Sequence, residues 1–314
     1  MQYYLSKIPG QFYLWFAVII FGASGSITRK LTQLGAMQFV NGHNPISLCN
    51  VLFVGNICAL GIMLLLYRTE LTAKKIAQIS RSEWVNLTIV AILGGALAPA
   101  AIFQALALAP VNSIILLGRL EVPIVLVLSR FILGEQLEQR QKIGIIIILS
   151  GVIIAVTGNN SISVLSSFAL GKGELLTIAA TIFSAISILI SKQKLADVPL
   201  GTYGIFRTGL GSIVFFVLAI FLYGSEHFAE AFSPFLWKWM LVYGAIIVVV
   251  GQSFWIKGFR ESPISTSAIV SCFYPIAAML FAYLILAELP TMGQVIGGLV
   301  LLVGLLLSQS RVNK

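Results

Sequence analysis

The sequence predicts an all-α polytopic membrane protein: ten transmembrane helices forming two inverted five-helix repeats. Three observations carry this expectation. Apolar runs of bilayer length recur from end to end, Lys and Arg collect on one side of them, and the second half of the chain repeats the first. Of the 314 residues, 58% are hydrophobic and 10% charged, and the mean hydropathy is +0.98. A soluble domain is nearer about 45–50% apolar and about 25% charged. Helices need roughly 20 apolar residues to cross the hydrocarbon core. A β-barrel would instead alternate polar and apolar positions in segments of about ten.

The spans fall at 11–31, 45–67, 85–108, 112–133, 142–158, 173–193, 201–223, 236–257, 264–287 and 291–309, with short connections and no soluble domain. Lys7, the apolar stretch after it and GASGS imitate a signal peptide. That stretch is longer than a signal peptide's apolar core, so it is read as the first span. Cys49, Cys58 and Cys272 all lie within spans and behave as small hydrophobes.

Charge sets the orientation. With the N-terminus in the cytoplasm, fourteen of the 20 Lys and Arg lie on the inner side and four (Arg29, Lys30, Lys172, Lys238) on the outer. The remaining two, Arg119 and Arg207, are inside spans. Such an asymmetry across short loops places both termini in the cytoplasm; if the chain is bacterial, the membrane is the cell's inner one. Topology also accounts for the net charge of +9, because no basic cluster interleaved with aromatics marks a nucleic-acid surface.

Sliding the chain by 153 residues lays Pro110 on Pro263 and Glu135 on Glu288, and Gln141, Gly144 and Gly151 on Gln294, Gly297 and Gly304. The repeats are expected at 1–159 and 160–314. Five spans per repeat is an odd number, so the second repeat is inverted. The loop charges agree: 68–81 is basic, whereas its counterpart 224–237 carries Glu226 and Glu230 without Lys or Arg. Inverted repeats are an architecture of secondary transporters.

LLGRLEVPIVLVLSRFILGEQLEQRQKIGIIIILSGVIIAV, with its proline-bearing helix, Gly-Glu turn and Gly-rich helix, resembles the half-repeat of EamA-type carriers in the drug/metabolite transporter superfamily. SCFYPIAAMLFAYLILAELPTMGQVIGGLVLLVG repeats the pattern. FGASGSITRKL is similar to the family's first helix and GKGELLTIAATIFSAISILISKQKL to its sixth. The resemblance implies ten spans and transport of small metabolites. The family's glutamate often directly precedes the proline of the fourth helix, whereas here Val122 separates Glu121 from Pro123.

Arg119 and Glu121 lie in the middle of the fourth span. Each central charge costs about 2.5–3.5 kcal/mol on the insertion scale. The fourteen Leu, Ile, Val and Phe of that span return about 0.3–0.6 kcal/mol each, roughly 4–8 in all. The two charges therefore cancel most of the insertion drive, which marks them as functional. On an ideal helix they point about 200° apart, so they do not pair with each other. Pro123 removes the hydrogen bond to the Arg119 carbonyl and permits a kink there.

Arg207, near the cytoplasmic end of the seventh span, matches an arginine often seen there in the family; snorkelling explains it equally well. Asn50, Asn56, Gln104 and Gln252 are intramembrane amides suited to substrate or to interhelical hydrogen bonds. Trp255 and Tyr274, with Trp15 and Tyr203, are candidates for an aromatic wall. Lys257 is expected to snorkel, Glu135 and Glu288 to organise helix ends, and His43 and His227 to be plain loop residues.

No phosphate-cradling loop and no metal-binding constellation is present in the sequence, so no cofactor, metal or enzymatic activity is expected. The expected function is secondary transport of small polar or amphipathic metabolites by alternating access. Export driven by protons is the favoured mode, with Glu121 taking a proton or a substrate amine and Arg119 an anionic group. The alternative is an organic-anion or sugar-phosphate-type antiporter using Arg119 and Arg207. A membrane-embedded enzyme or lipid scramblase is the reading from another class. The expected partners are the substrate, protons and the bilayer; monomer and homodimer stay open. Reporters fused after Lys314 and within 68–81 should read cytoplasmic and one within 224–237 external; an external C-terminus would contradict the inversion.

Overall fold

The computed structural model describes residues 9–37, 44, 46–68, 70–132, 134, 137–157, 171–195, 197–224, 228, 231–262, 266 and 270–308. Among these residues the chain is helical, with no strands. The spans are α1 (Gly10–Ala36), α2 (Leu48–Leu66), α3 (Arg81–Leu108), α4 (Val111–Ile132) and α5 (Gln139–Thr157). The second repeat supplies α6 (Lys172–Lys194), α7 (Leu200–Tyr223), α8 (Pro234–Glu261), α9 (Val270–Leu286) and α10 (Met292–Ser308). The first eight contain windows long and apolar enough to cross a membrane, and α9 and α10 are shorter apolar helices. Phe131 and Phe221, 80% and 87% exposed, face outward as lipid contact requires, where water would penalise them.

Several helices depart from regular geometry, and the departures repeat. α3 widens into a π-helix at Ala91–Leu97, and α8 does so at Gly244–Val250. The two segments are related by the same 153-residue slide. α4 breaks between Val111–Gly118 and Glu121–Ile132, at Arg119 and Leu120. α9 breaks at the equivalent place, Phe273, before Tyr274–Leu286. Each second segment carries a proline in its first turn, Pro123 and Pro275, a position that tolerates a missing N–H. The C-terminal turns match as well: Gly134 and Ala287 both adopt positive φ, 69° and 55°.

The helices group into two compact units: Met1–Ile27, Ala109–Glu174 and Val250–Lys314 in the first, Thr28–Leu108 and Leu175–Val249 in the second. Each unit draws on both repeats. In the first, α5 and α10 pack through glycines. A Cβ on Gly144 would lie 2.9 Å from the Gly304 carbonyl oxygen, and one on Gly151 would lie 2.7 Å from that of Gly297. That pairing makes the two helices antiparallel, as inversion of the repeats requires. Leu116, Leu117, Ile148, Val152, Cys272 and Leu301 form the adjoining buried core. In the second unit Gly211 of α7 approaches Gly95 of α3 as closely, a Cβ there meeting backbone at 2.7 Å. Phe53 stacks on Phe216, with ring centroids 4.8 Å apart.

Two helices begin after a proline that offers no capping side chain, and a distant glutamate caps each. Glu288 accepts the Val111 and Asn112 N–H groups of α4 at 3.2 and 2.9 Å. Glu70 accepts the Gly201 N–H of α7 at 2.7 Å. A carboxylate at a helix N-terminus satisfies orphan donors and complements the dipole. Glu288 is thus the helix-end organiser that its context suggests; Glu135, His43 and His227 lie outside the described residues.

Gly144→Leu or Gly297→Leu should sharply lower the yield of monodisperse protein on size-exclusion chromatography, because the added side chain meets backbone, which cannot rotate away. Normal yield with altered substrate selectivity would place these glycines on the substrate path instead.

Candidate functional site

The first unit holds five of the expected residues: Arg119, Glu121, Gln252, Trp255 and Tyr274. Arg119 closes the first segment of α4, its backbone N–H bonding to Leu116 three residues back. Without an N–H on Pro123, the Arg119 carbonyl takes the Val122 N–H at 3.2 Å. The chain tightens there into a 3₁₀-like turn, so the ideal-helix angle between Arg119 and Glu121 does not apply.

The Arg119 guanidinium lies over the Tyr274 ring, its carbon 4.4 Å from the centroid, while its Nε is buried without a hydrogen-bond partner. Such a contact contributes about 0.5–2 kcal/mol, more where water is excluded. It does not satisfy a guanidinium N–H, because the ring face offers no lone pair. Tyr274 is also within electrostatic reach of Glu121, its repeat-equivalent by the 153-residue slide. Arg119 and Glu121 form no ion pair with each other or with another described residue. Trp255 and Tyr274 pack against the buried Leu14, Val18 and Val270, and Trp15 packs on Phe273 with centroids 5.1 Å apart. Gln252 is half-buried one turn before Trp255 on α8.

The rest of the expected set is in the second unit. Asn50 is 1% exposed, and Asn56 is half-buried on the same helix. Gln104 is half-buried and lines a cavity with Phe103, Phe183 and Phe215. Arg207 donates a hydrogen bond from Nη2 to the Gly94 carbonyl, inside the π-helix of α3. A π segment loosens the regular carbonyl ladder, and a guanidinium from a neighbouring helix supplies a donor. Neither the span pattern nor the position of Arg207 foretold this partner, because π turns leave no periodic signature.

Tyr203 hydrogen-bonds Ser191, O–O 3.1 Å. The Lys257 Nζ donates to the Tyr13 hydroxyl at 3.0 Å, lies 4.2 Å from that ring's centroid, and is 4.0 Å from the Glu261 carboxylate one turn on. Tyr13, itself 3% exposed, was not among the expected residues.

The model for the EamA-like transporter family matches residues 8–157 and 171–309. An uncharacterized transporter, sll1164, of Synechocystis sp. (strain ATCC 27184 / PCC 6803 / Kazusa) is 40% identical over 309 residues, covering 98% of this chain and 88% of the relative. An uncharacterized transporter of Methanothermobacter thermautotrophicus is 23% identical over 231 residues, covering 73% and 65%. A solved structure described only as "Crystal structure of protein" superposes with a TM-score of 0.57 at 15% identity, covering 93% of this chain and 95% of its own; it shares the fold.

Arg207→Leu should lower thermal stability by about 1–3 kcal/mol, the cost of leaving the Gly94 carbonyl unpaired. Thermal unfolding in detergent checks this. Unchanged stability with lost transport would make Arg207 a substrate ligand instead.

Proposed function

The chain belongs to the EamA-like transporter family, and from that premise we propose that it is a secondary transporter exporting a small polar or amphipathic metabolite by alternating access, coupled to the proton gradient. It is an integral membrane protein, and family membership implies a small-molecule substrate. The observation that carries the finer reading is Arg119: an intramembrane cation with a buried, unpartnered Nε, held over Tyr274 beside Glu121. Burying a guanidinium donor without an acceptor is expensive. A carboxylate or other anionic group on the substrate supplies the acceptor, and Glu121 receives a proton or the substrate's amine. A zwitterion such as an amino acid satisfies both residues.

The break at Arg119 and Leu120, matched at Phe273, supports alternating access, since it provides equivalent bending points in the two repeats. The fourteen-to-four division of Lys and Arg supports cytoplasmic termini, which in a bacterium means the inner membrane. An antiporter built on two arginines is less well supported, because Arg207 is engaged with Gly94. A membrane-embedded enzyme would turn over in detergent without a gradient, whereas a transporter needs two compartments.

Metabolites enriched in the medium of cells overexpressing the protein, relative to an Arg119→Ala/Glu121→Ala control, identify the substrate. With it in liposomes, Glu121→Gln should abolish gradient-driven accumulation while retaining exchange of labelled for unlabelled substrate, because Gln mimics the protonated acid. Parallel loss of exchange and net transport would make Glu121 an anchor for the substrate amine. Near-normal net transport would sink any role for this residue.

A further inference from the structure

A cavity of about 210 Å³ opens within the second unit, bounded by α3, α6 and α7, with Cys49 of α2 in its wall. Its lining is apolar apart from the Cys49 thiol and the side chain of Gln104, and three phenylalanines (Phe103, Phe183 and Phe215) supply rings to the wall. A dry apolar cavity of about 150 Å³ holds a benzene ring, so the larger volume here takes a ring with a short substituent.

Among the described residues Gln104 is the one amide in the wall. Its amide carries one acceptor and two donors, yet among the described residues it has no hydrogen-bond partner. At the repeat-equivalent position Lys257 is satisfied within the first unit by the Tyr13 hydroxyl. A lipid acyl chain would fill the volume and leave the Gln104 amide unmet.

We infer that this cavity is a binding site for a single-ring or similarly compact apolar group bearing one hydrogen-bonding substituent, which Gln104 holds by its amide while the phenylalanines pack the ring. The site goes beyond the transport reading, and its occupancy is measurable at equilibrium without a gradient. Its failure therefore leaves the transport reading standing, and the reverse also holds.

The test uses the full chain in lipid nanodiscs with 4-fluorophenol and fluorobenzene as probes, followed by ¹⁹F NMR titration. Wild type should bind both saturably and 4-fluorophenol more tightly. Gln104→Leu should weaken 4-fluorophenol roughly three- to tenfold, the worth of one hydrogen bond, and leave fluorobenzene within about twofold. Gln104→Met, which keeps the side-chain length without the amide, gives the same reading should the Leu variant fold poorly. Ala101→Phe, which fills the cavity, should remove binding of both probes. Absence of saturable binding, or 4-fluorophenol affinity indifferent to both Gln104 variants, overturns the inference. So does displacement of the two probes to the same extent by decanoate, which would identify the cavity as a lipid-chain site.

Discussion

Hydrocarbon offers no hydrogen bonds, and the rest of this structure follows from that constraint. Every backbone N–H and C=O inside the bilayer must find its partner within the protein, which limits the described spans to helices. Each departure from α-geometry then needs a compensating group. The Gly94 carbonyl in the α3 π segment receives the Arg207 guanidinium. The Arg119 carbonyl, deprived of a donor by Pro123, takes the Val122 N–H. Where α4 begins after Pro110 without a capping side chain, Glu288 reaches it from the turn after α9. In these three places a specific side chain or a nearby N–H sustains the irregularity.

The repeats preserve backbone shape and change chemistry. Equivalent π segments lie in α3 and α8, equivalent breaks in α4 and α9, and equivalent left-handed residues at Gly134 and Ala287. The side chains at matched positions nevertheless differ. Glu121 corresponds to Tyr274, Arg119 to Cys272 and Gln104 to Lys257. The acid, cation and phenol drawn together around the α4 break are the product of that divergence.

Packing cuts across the repeats. α5 and α10 come from different halves yet meet through Gly144, Gly151, Gly297 and Gly304, where backbone atoms approach too closely for any Cβ. Such contact matters in a membrane because lipid tails are as apolar as the helices, so association relies on close van der Waals packing rather than on hydrophobic expulsion. The loop glutamates extend the same principle to the helix ends, tying Glu288 to α4 and Glu70 to α7.

Much of this was legible in the chain. Span positions follow from length and hydropathy, since only apolar runs near 20 residues match the hydrocarbon thickness. The repeat showed in the glycine and glutamate spacing, and the intramembrane Arg119 and Glu121 announced themselves by their insertion cost. Partners were not legible. That Arg119 faces Tyr274, that Lys257 turns onto Tyr13, and that Arg207 serves a carbonyl of α3 depend on distances between helices far apart in the chain. The π turns were equally hidden, because one extra residue in a uniformly apolar run leaves its composition unchanged. Sequence alone determined which segments enter the bilayer and which polar groups enter with them, because transfer free energy is summed residue by residue. Only the tertiary structure decided what each polar group meets there, because hydrogen bonds and ring contacts depend on the positions of two groups at once.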